Sequence, residues 1–331
     1  MSGLGIGLLG AARITDPAII EPIKAMPRYR LATVAARDRQ RAEAFAETRN
    51  IGEVLGSYDE VVRSEAVDLV YNPLPINLHA EWTIKALQAN KHVLCEKPFA
   101  MNADEARAML AASEAAGKRL IEAFHYRYHS AFQTCLDWLA ADEIGELKEI
   151  HAAFNAEIPD NGTEIRHRIE TGGGAMMDLG CYPLHWALSV TGEAPSDIIS
   201  EATLTGVGVD ESMQAALAFP SGVTAKLSAN MGPGSGFRAD MKLIGTRGEI
   251  DFTNPLAPHH PMLPSNLKSS NGREAVISPI STYAYQLAAV FEALTTGKVL
   301  PTEGDMILHQ QVALDAIYEA AGLRHLRYLQ D

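Results

Sequence analysis

The sequence predicts an α/β protein: an N-terminal Rossmann domain on a doubly wound parallel sheet, then an α+β domain with a largely antiparallel open sheet. Three observations predict it. Short apolar runs alternate with amphipathic stretches over the first third of the chain, the pattern of strands buried on both faces and joined by helical crossovers. A small-residue turn follows the first run, where such sheets bind dinucleotides. Beyond about residue 150 the segments lengthen and alternate apolar with polar, as antiparallel strands with one wet face do. The expected division is 1–124 for nucleotide binding and 125–331 for substrate binding and oligomerisation.

Gly5 to Gly10 reads GIGLLG and fits G-x-G-x-x-G letter for letter. Ile6, Leu8 and Leu9 form a buried strand, so only Gly10 reaches the turn. The phosphate-facing stretch is therefore Gly10-Ala11-Ala12-Arg13-Ile14, with Ala12 in the place of the second glycine and Thr15 against the following helix. Further strands are expected at 31–36, 67–71, 92–96 and 119–123, with amphipathic helices at 39–49 and 79–90 between them. In the second half, strands are expected at 213–219 and 223–230 and helices at 283–296 and 305–323, while 255–272, rich in Pro, Ser and Asn, reads as a surface loop. A sheet face left open would expose apolar area unless paired, so a homodimer through those faces, or a homotetramer, is expected.

With 28 Lys plus Arg against 41 Asp plus Glu, the net charge is −13. Such a chain repels nucleic acid and anionic membrane surfaces, leaving small molecules as the expected partners. Cys95, Cys135 and Cys181 are odd in number and widely spaced, so neither a disulfide framework nor a metal site is expected. There is no signal-like N-terminal segment and no apolar run of about 18 residues. A cytoplasmic location is expected.

Two motifs can carry chemistry. Glu96-Lys97-Pro98 places a lysine just past the carboxyl end of a buried strand, the edge where open α/β sheets hold ligands, and Pro98 keeps Lys97 out of the helical region. Position alone also allows solvated surface. In the stretch 172–185, three glycines precede an apolar segment in which Asp178, Tyr182 and His185 fall at i, i+4 and i+7, on one helical face. Pro183 removes one helical hydrogen bond and either kinks this segment or begins it. A core pairing of Tyr182 with His185 is the alternative reading.

The runs VDLVYNPLPINLHAEWTIKALQANKHVLCEKPFAMNADEA, RLIEAFHYRYHS and ETGGGAMMDLGCYPLHWALSVTGE resemble the Gfo/Idh/MocA oxidoreductases, and the likeness spans essentially the whole chain. The resemblance implies that Lys97 lies beside nicotinamide and substrate, and that Pro75, His79 and Glu96 belong to the cofactor site. Ile76 departs from the asparagine frequent after that proline. Where many members carry Asp-x-x-x-His, this chain has Asp178-x-x-x-Tyr182, as in a tyrosine subgroup that includes dimeric dihydrodiol dehydrogenases and NADP-dependent D-xylose dehydrogenases. The implied activity is hydride transfer between NADP and a carbonyl or alcohol carbon of a sugar-like or diol substrate. The same scaffold also supports NAD-dependent glycosidases and non-catalytic nucleotide-binding sensors.

Cofactor choice is read from 31–38. An NAD enzyme ends this strand with an acid on the ribose 2′-hydroxyl, but here that place is Ala36, followed by Arg37, which can fork onto a phosphate, and Asp38, placed to cap the next helix. NADP is expected over NAD, with Gly10, Ala12, Arg13 and Ile14 at the pyrophosphate. For the chemistry, Tyr182 is the expected general acid/base and Lys97 its electrostatic partner. A phenol has an ordinary pKa of about 10, and a nearby ammonium favours its ionised form. Asp178 orients the site, and Arg127, Arg166 and His185 are candidate substrate contacts.

Overall fold

The computed structural model describes residues 3–329 and divides into two compact units. In the first unit, β1 (Leu4–Leu9), β2 (Tyr29–Ala35), β3 (Glu53–Val54), β4 (Leu69–Asn72), β5 (His92–Cys95) and β6 (Leu120–Glu122) form one parallel sheet in the order β3-β2-β1-β4-β5-β6. That order reverses beside β1, where a dinucleotide-binding sheet leaves its crevice. Ile6, Leu8 and Leu9 are wholly buried, as are Leu69, Val70, Val93 and Leu94 on the neighbouring strands. Each such side chain stabilises the fold by about 1.5–3 kcal/mol relative to exposure.

Gly5 and Gly7 are packing glycines inside β1. A Cβ on Gly5 would lie 2.0 Å from the Ala66 carbonyl oxygen, and one on Gly7 would meet Val61 and Val67. Gly10 alone turns the chain, at φ +90, and donates its N–H to the Ala35 carbonyl oxygen at 2.7 Å. Helices Arg39–Glu47 and His79–Gln88 occupy the two expected amphipathic stretches.

The first unit comprises 1–100, 104–124 and also 283–307. The last stretch, largely helix Thr282–Thr296, is tied in by the Tyr29 hydroxyl, which donates to the Leu287 carbonyl oxygen at 2.9 Å, and by an edge-to-face contact of Tyr29 with Phe291. Arg119 pairs with Glu303 as well.

In the second unit, β7 (Leu147–Asn155), β8 (Asp197–Leu204), β9 (Asp210–Ala218), β10 (Thr224–Asn230), β11 (Arg238–Gly245), β12 (Glu249–Thr253) and β13 (Asn266–Ser269) form a sheet in the order β13-β12-β11-β7-β10-β9-β8. All pairs are antiparallel except β7 with β10 at the centre. β13 corrects the reading of 255–272 as loop throughout. Asn266–Ser269 is only four residues long and polar at three of them, and its pairing with β12 makes it a strand.

A second correction concerns the open face. Ala225, Leu227 and Ala229 of β10 are buried on one side, whereas Lys226, His151, Lys242, Asp251 and Lys268 form a cross-strand row on the other. Lys242 pairs with Glu249 at 2.6 Å and Asp251 at 3.0 Å. The outer face is thus a charged ladder, apart from residues such as the exposed Ile199. The expectation that this face must pair to cover apolar area therefore loses its premise. Among the described residues no helix is long and apolar enough to cross a membrane.

Candidate active site

In the first unit, the candidate residues collect at the carboxyl ends of the strands. After β1, Gly10 makes the turn, with Ala12 and Ile14 half-buried and Arg13 exposed beside it. At the end of β2, Arg37 is exposed, and Asp38 accepts from the N–H groups of Gln40 at 2.9 Å and Arg41 at 3.3 Å. Its carboxylate is therefore committed to the helix cap. Arg41, four residues after Arg37, donates to the Ala11 carbonyl oxygen at 2.8 Å and so brings a second guanidinium to the turn. Burial raises the pKa of the Tyr58 hydroxyl against the opposing influence of Arg37 and Arg41, and this hydroxyl lies 3.7 Å from where a Gly10 Cβ would sit. Arg41 and Tyr58 are absent from the sequence reading. The i, i+4 spacing of Arg37 and Arg41 was the available signal.

These residues fit a dinucleotide carrying a 2′-phosphate. A positive-φ glycine lets backbone approach the pyrophosphate, two arginines stand at the strand end, and the nearby acid is occupied.

The turn after β5 is held from below. The Tyr71 hydroxyl donates to Glu96 Oε1 at 2.7 Å, and the Lys97 backbone N–H donates to Glu96 Oε2 at 3.3 Å. His79, wholly buried, sets Nε2 2.7 Å from the Leu74 carbonyl oxygen and Nδ1 3.1 Å and 3.2 Å from the carbonyl oxygens of Pro98 and Phe99. One imidazole therefore sits between the turn at Leu74-Pro75 and the turn that bears Lys97, and its single N–H serves one of them. Burial lowers the His79 pKa to about 4, and the Lys97 charge adds to this. The ring is neutral near pH 7.

In the second unit, Asp178 and Tyr182 lie on consecutive pieces of one helix, a π-helical turn Met176–Gly180 followed by Cys181–Thr191. Pro183 lacks an N–H and crowds the carbonyl four residues earlier, and the wider turn relieves that crowding. The other π-helical turn, Asp16–Ile20, likewise precedes a proline, Pro22. Asp178 accepts from Arg166 Nε at 2.6 Å, and Arg166 Nη1 donates to Glu164 at 2.9 Å. The Asp178 charge, first among its neighbours, raises the Arg166 pKa. Two candidate residues are thus a single ion-paired unit.

Tyr182 is 5% exposed, and its ring meets Phe154 edge-on at 5.6 Å, with Tyr126 and Trp186 close by. Its hydroxyl is 3.4 Å from His125 Nε2. Arg127 is half-buried over the Phe132 ring, and burial lowers its pKa. The structure does not group His185 with the accessible candidates. It is wholly buried, the Tyr126 hydroxyl donates to its Nδ1 at 2.5 Å, and burial drives its pKa well down. Positions 181–188 are all buried, Tyr182 among them, and His185 is fully enclosed whereas Tyr182 keeps 5% exposure.

The lead-in to this helix rests on Asp210. Its buried carboxylate accepts from the Met176 N–H at 2.7 Å and from the Tyr318 hydroxyl at 2.7 Å. Gly174, at φ +125, passes so close that a Cβ there would lie 2.0 Å from Asp210 Oδ1. Burial raises the Asp210 pKa from 3.8 to about 6. A folded-state pKa above the unfolded value means that this group's contribution to stability is complete below about pH 4 and declines as pH rises through about 6. The stability of the wild type relative to Asp210→Asn should therefore fall by about 3 kcal/mol between pH 4 and pH 7, as read by urea unfolding. A difference independent of pH would show that Asp210 does not titrate this way.

Comparisons with known proteins agree with this architecture. A family profile described as oxidoreductase family, NAD-binding Rossmann fold, matches residues 4–124, and the GFO/IDH/MocA C-terminal domain matches 132–251. The chain is 32% identical over 320 residues to a D-xylose 1-dehydrogenase (NADP(+)) of Haloferax volcanii, covering 95% of this chain and 96% of that protein. It is 33% identical over 336 residues to the dTDP-3,4-didehydro-2,6-dideoxy-alpha-D-glucose 3-reductase of Streptomyces violaceoruber, covering 97% and 96%. Among solved structures, a 3-ketoreductase from Actinomadura kijaniata in complex with NADP and TDP-benzene superposes with a TM-score of 0.87 at 26% identity, covering 96% of this chain and 98% of that one. With both domains matched in order and relatives aligned over nearly its full length, this chain belongs to the GFO/IDH/MocA oxidoreductase family.

Proposed function

We propose that the chain is an NADP-dependent oxidoreductase that moves a hydride between the nicotinamide and a carbonyl or alcohol carbon of a sugar, sugar nucleotide or diol. One observation carries the cofactor choice: Arg37 and Arg41 flank the Gly10 turn while Asp38 is spent on a helix cap. The relatives named for NADP and for sugar substrates support the same reading. When bound, NADP supplies the hydride acceptor or donor. The protein must then manage a proton, which is the role we assign to Tyr182, with Lys97 as the electrostatic partner and Asp178, held by Arg166, orienting the helix. Arg127 and Arg166 are the proposed substrate contacts, and His185 is assigned to the core. The assembly is proposed to be a homodimer or homotetramer, paired through complementary charge on the outer face of the second sheet.

Arg37→Ala should reduce the ratio of NADP to NAD efficiency by roughly 10- to 100-fold, because a forked contact to a phosphate contributes about 1.5–3 kcal/mol. Steady-state kinetics with both cofactors on a panel of aldoses, ketosugars and diols reads this out. An unchanged ratio would overturn the cofactor assignment, and turnover without net NADPH release would favour the glycosidase alternative.

A further inference from the structure

Arg127 belongs to a 3-10 turn, His125–Tyr128, whose first residue is a buried histidine. His125 is 3% exposed, and its two ring nitrogens face two hydroxyls: Nε2 lies 3.4 Å from Tyr182 Oη, and Nδ1 lies 2.8 Å from Thr282 Oγ1. The rings of His125 and Tyr182 meet at 6.1 Å, tilted by 65°. Thr282 is wholly buried and donates its backbone N–H to Nδ1 of the half-buried His259 at 3.3 Å. Within this unit, the titratable and charged groups near His125 include Tyr182 and His185 on the helix, Tyr126, Arg127 and Tyr128 on its own turn, and His259 behind Thr282.

A buried tyrosine that gives or takes a proton once per turnover must be reset once per turnover. Histidine is the side chain whose ordinary pKa suits that exchange near neutral pH. The distance of 3.4 Å is long for a hydrogen bond, as such contacts often are before substrate binds.

We propose that His125 is a positioning residue that holds the Tyr182 hydroxyl and exchanges a proton with it. The inference rests on the reading of Tyr182 as the acid/base. In the direction of alcohol oxidation, the substrate O–H bond breaks and its proton passes to Tyr182 Oη. The Tyr182 O–H proton passes to His125 Nε2, and the hydride leaves the same substrate carbon for the oxidised cofactor. His125 ends protonated on both nitrogens, with Nδ1–H donating to Thr282 Oγ1, and releases one proton to solvent after product leaves. Reduction runs the same transfers backwards.

The test uses the full chain with NADP and a turned-over substrate. His125→Ala should lower kcat about 10- to 100-fold with KM for NADP unchanged, and added imidazole should restore activity several-fold in this variant but not in Tyr182→Phe. His125→Gln preserves bulk and one hydrogen bond without titrating, so it tests the same point if the alanine variant folds poorly. In the cofactor-free protein, the phenolate absorbance assigned to Tyr182 by difference from Tyr182→Phe should move down by about one pH unit in His125→Gln, since neutral Nε2 accepts from the un-ionised phenol whereas the amide can donate to the phenolate. An inactive Tyr182→Phe beside His125 variants with kcat within about two-fold of wild type, or with no imidazole rescue and an unmoved phenolate signal, would overturn this inference alone. Full activity in Tyr182→Phe would overturn the acid/base reading, and this inference with it.

Discussion

Tyr182→Phe is expected to lower kcat by roughly 10²- to 10⁴-fold, the range lost with a general acid/base, and to leave NADP binding unchanged. Oxidising an alcohol requires its hydroxyl proton to depart as the carbonyl forms, and Tyr182 presents its hydroxyl from a helix whose start is fixed by Asp210 and whose Asp178 is fixed by Arg166. The substitution removes one oxygen and retains the ring that packs against Phe154, Tyr126 and Trp186, so a collapse of the core is not expected. Steady-state kinetics with cofactor fluorescence titration separates loss of chemistry from loss of binding. Near-normal turnover would sink the mechanism. His185 would not take over, because its Nδ1 already accepts from Tyr126 within the core.

A comparable loss, again roughly 10²- to 10⁴-fold in kcat, is expected for Lys97→Ala. The lysine stands two residues past the end of β5, on a turn braced by Glu96 through Tyr71 and packed against the His79 ring at the Pro98 and Phe99 carbonyl oxygens. In the proposed mechanism a turn held in this way carries the lysine, whose charge would stabilise the developing alkoxide with little reorganisation. Truncation removes the charge and leaves the bracing contacts of Glu96 and His79 in place. The expected signature is a fall in kcat and kcat/KM together with a cofactor affinity within a few-fold of wild type. Wild-type kcat in Lys97→Ala would remove Lys97 from the mechanism.

Much of the candidate site was legible because its signals are local. A strand-ending glycine, an aspartate before a helix and a lysine after an apolar run each act through neighbours in sequence, and Gly10 and Asp38 occupy a positive-φ turn and a helix cap in the structure. The π-helical turn was visible only as ambiguity, because Pro183 allowed either a kink or a helix start. His125 carried no signal at all, since it lies 57 residues from Tyr182 and no spacing rule links them.

By itself the sequence determined the parallel first sheet, the change to alternating strands and the location of the turns, since hydrophobic period records how much of each residue is buried. It did not record which element does the burying. Only the tertiary structure decided that 283–307 completes the first unit, that β7 pairs in parallel with β10, and that the outer face of the second sheet is a charged ladder. The pairing of Asp178 with Arg166 and the support of Met176 by Asp210 were decided at that level too. These are choices of partner across long loops, and loop closure costs little more for one distant partner than for another, so packing and hydrogen-bond satisfaction select among them.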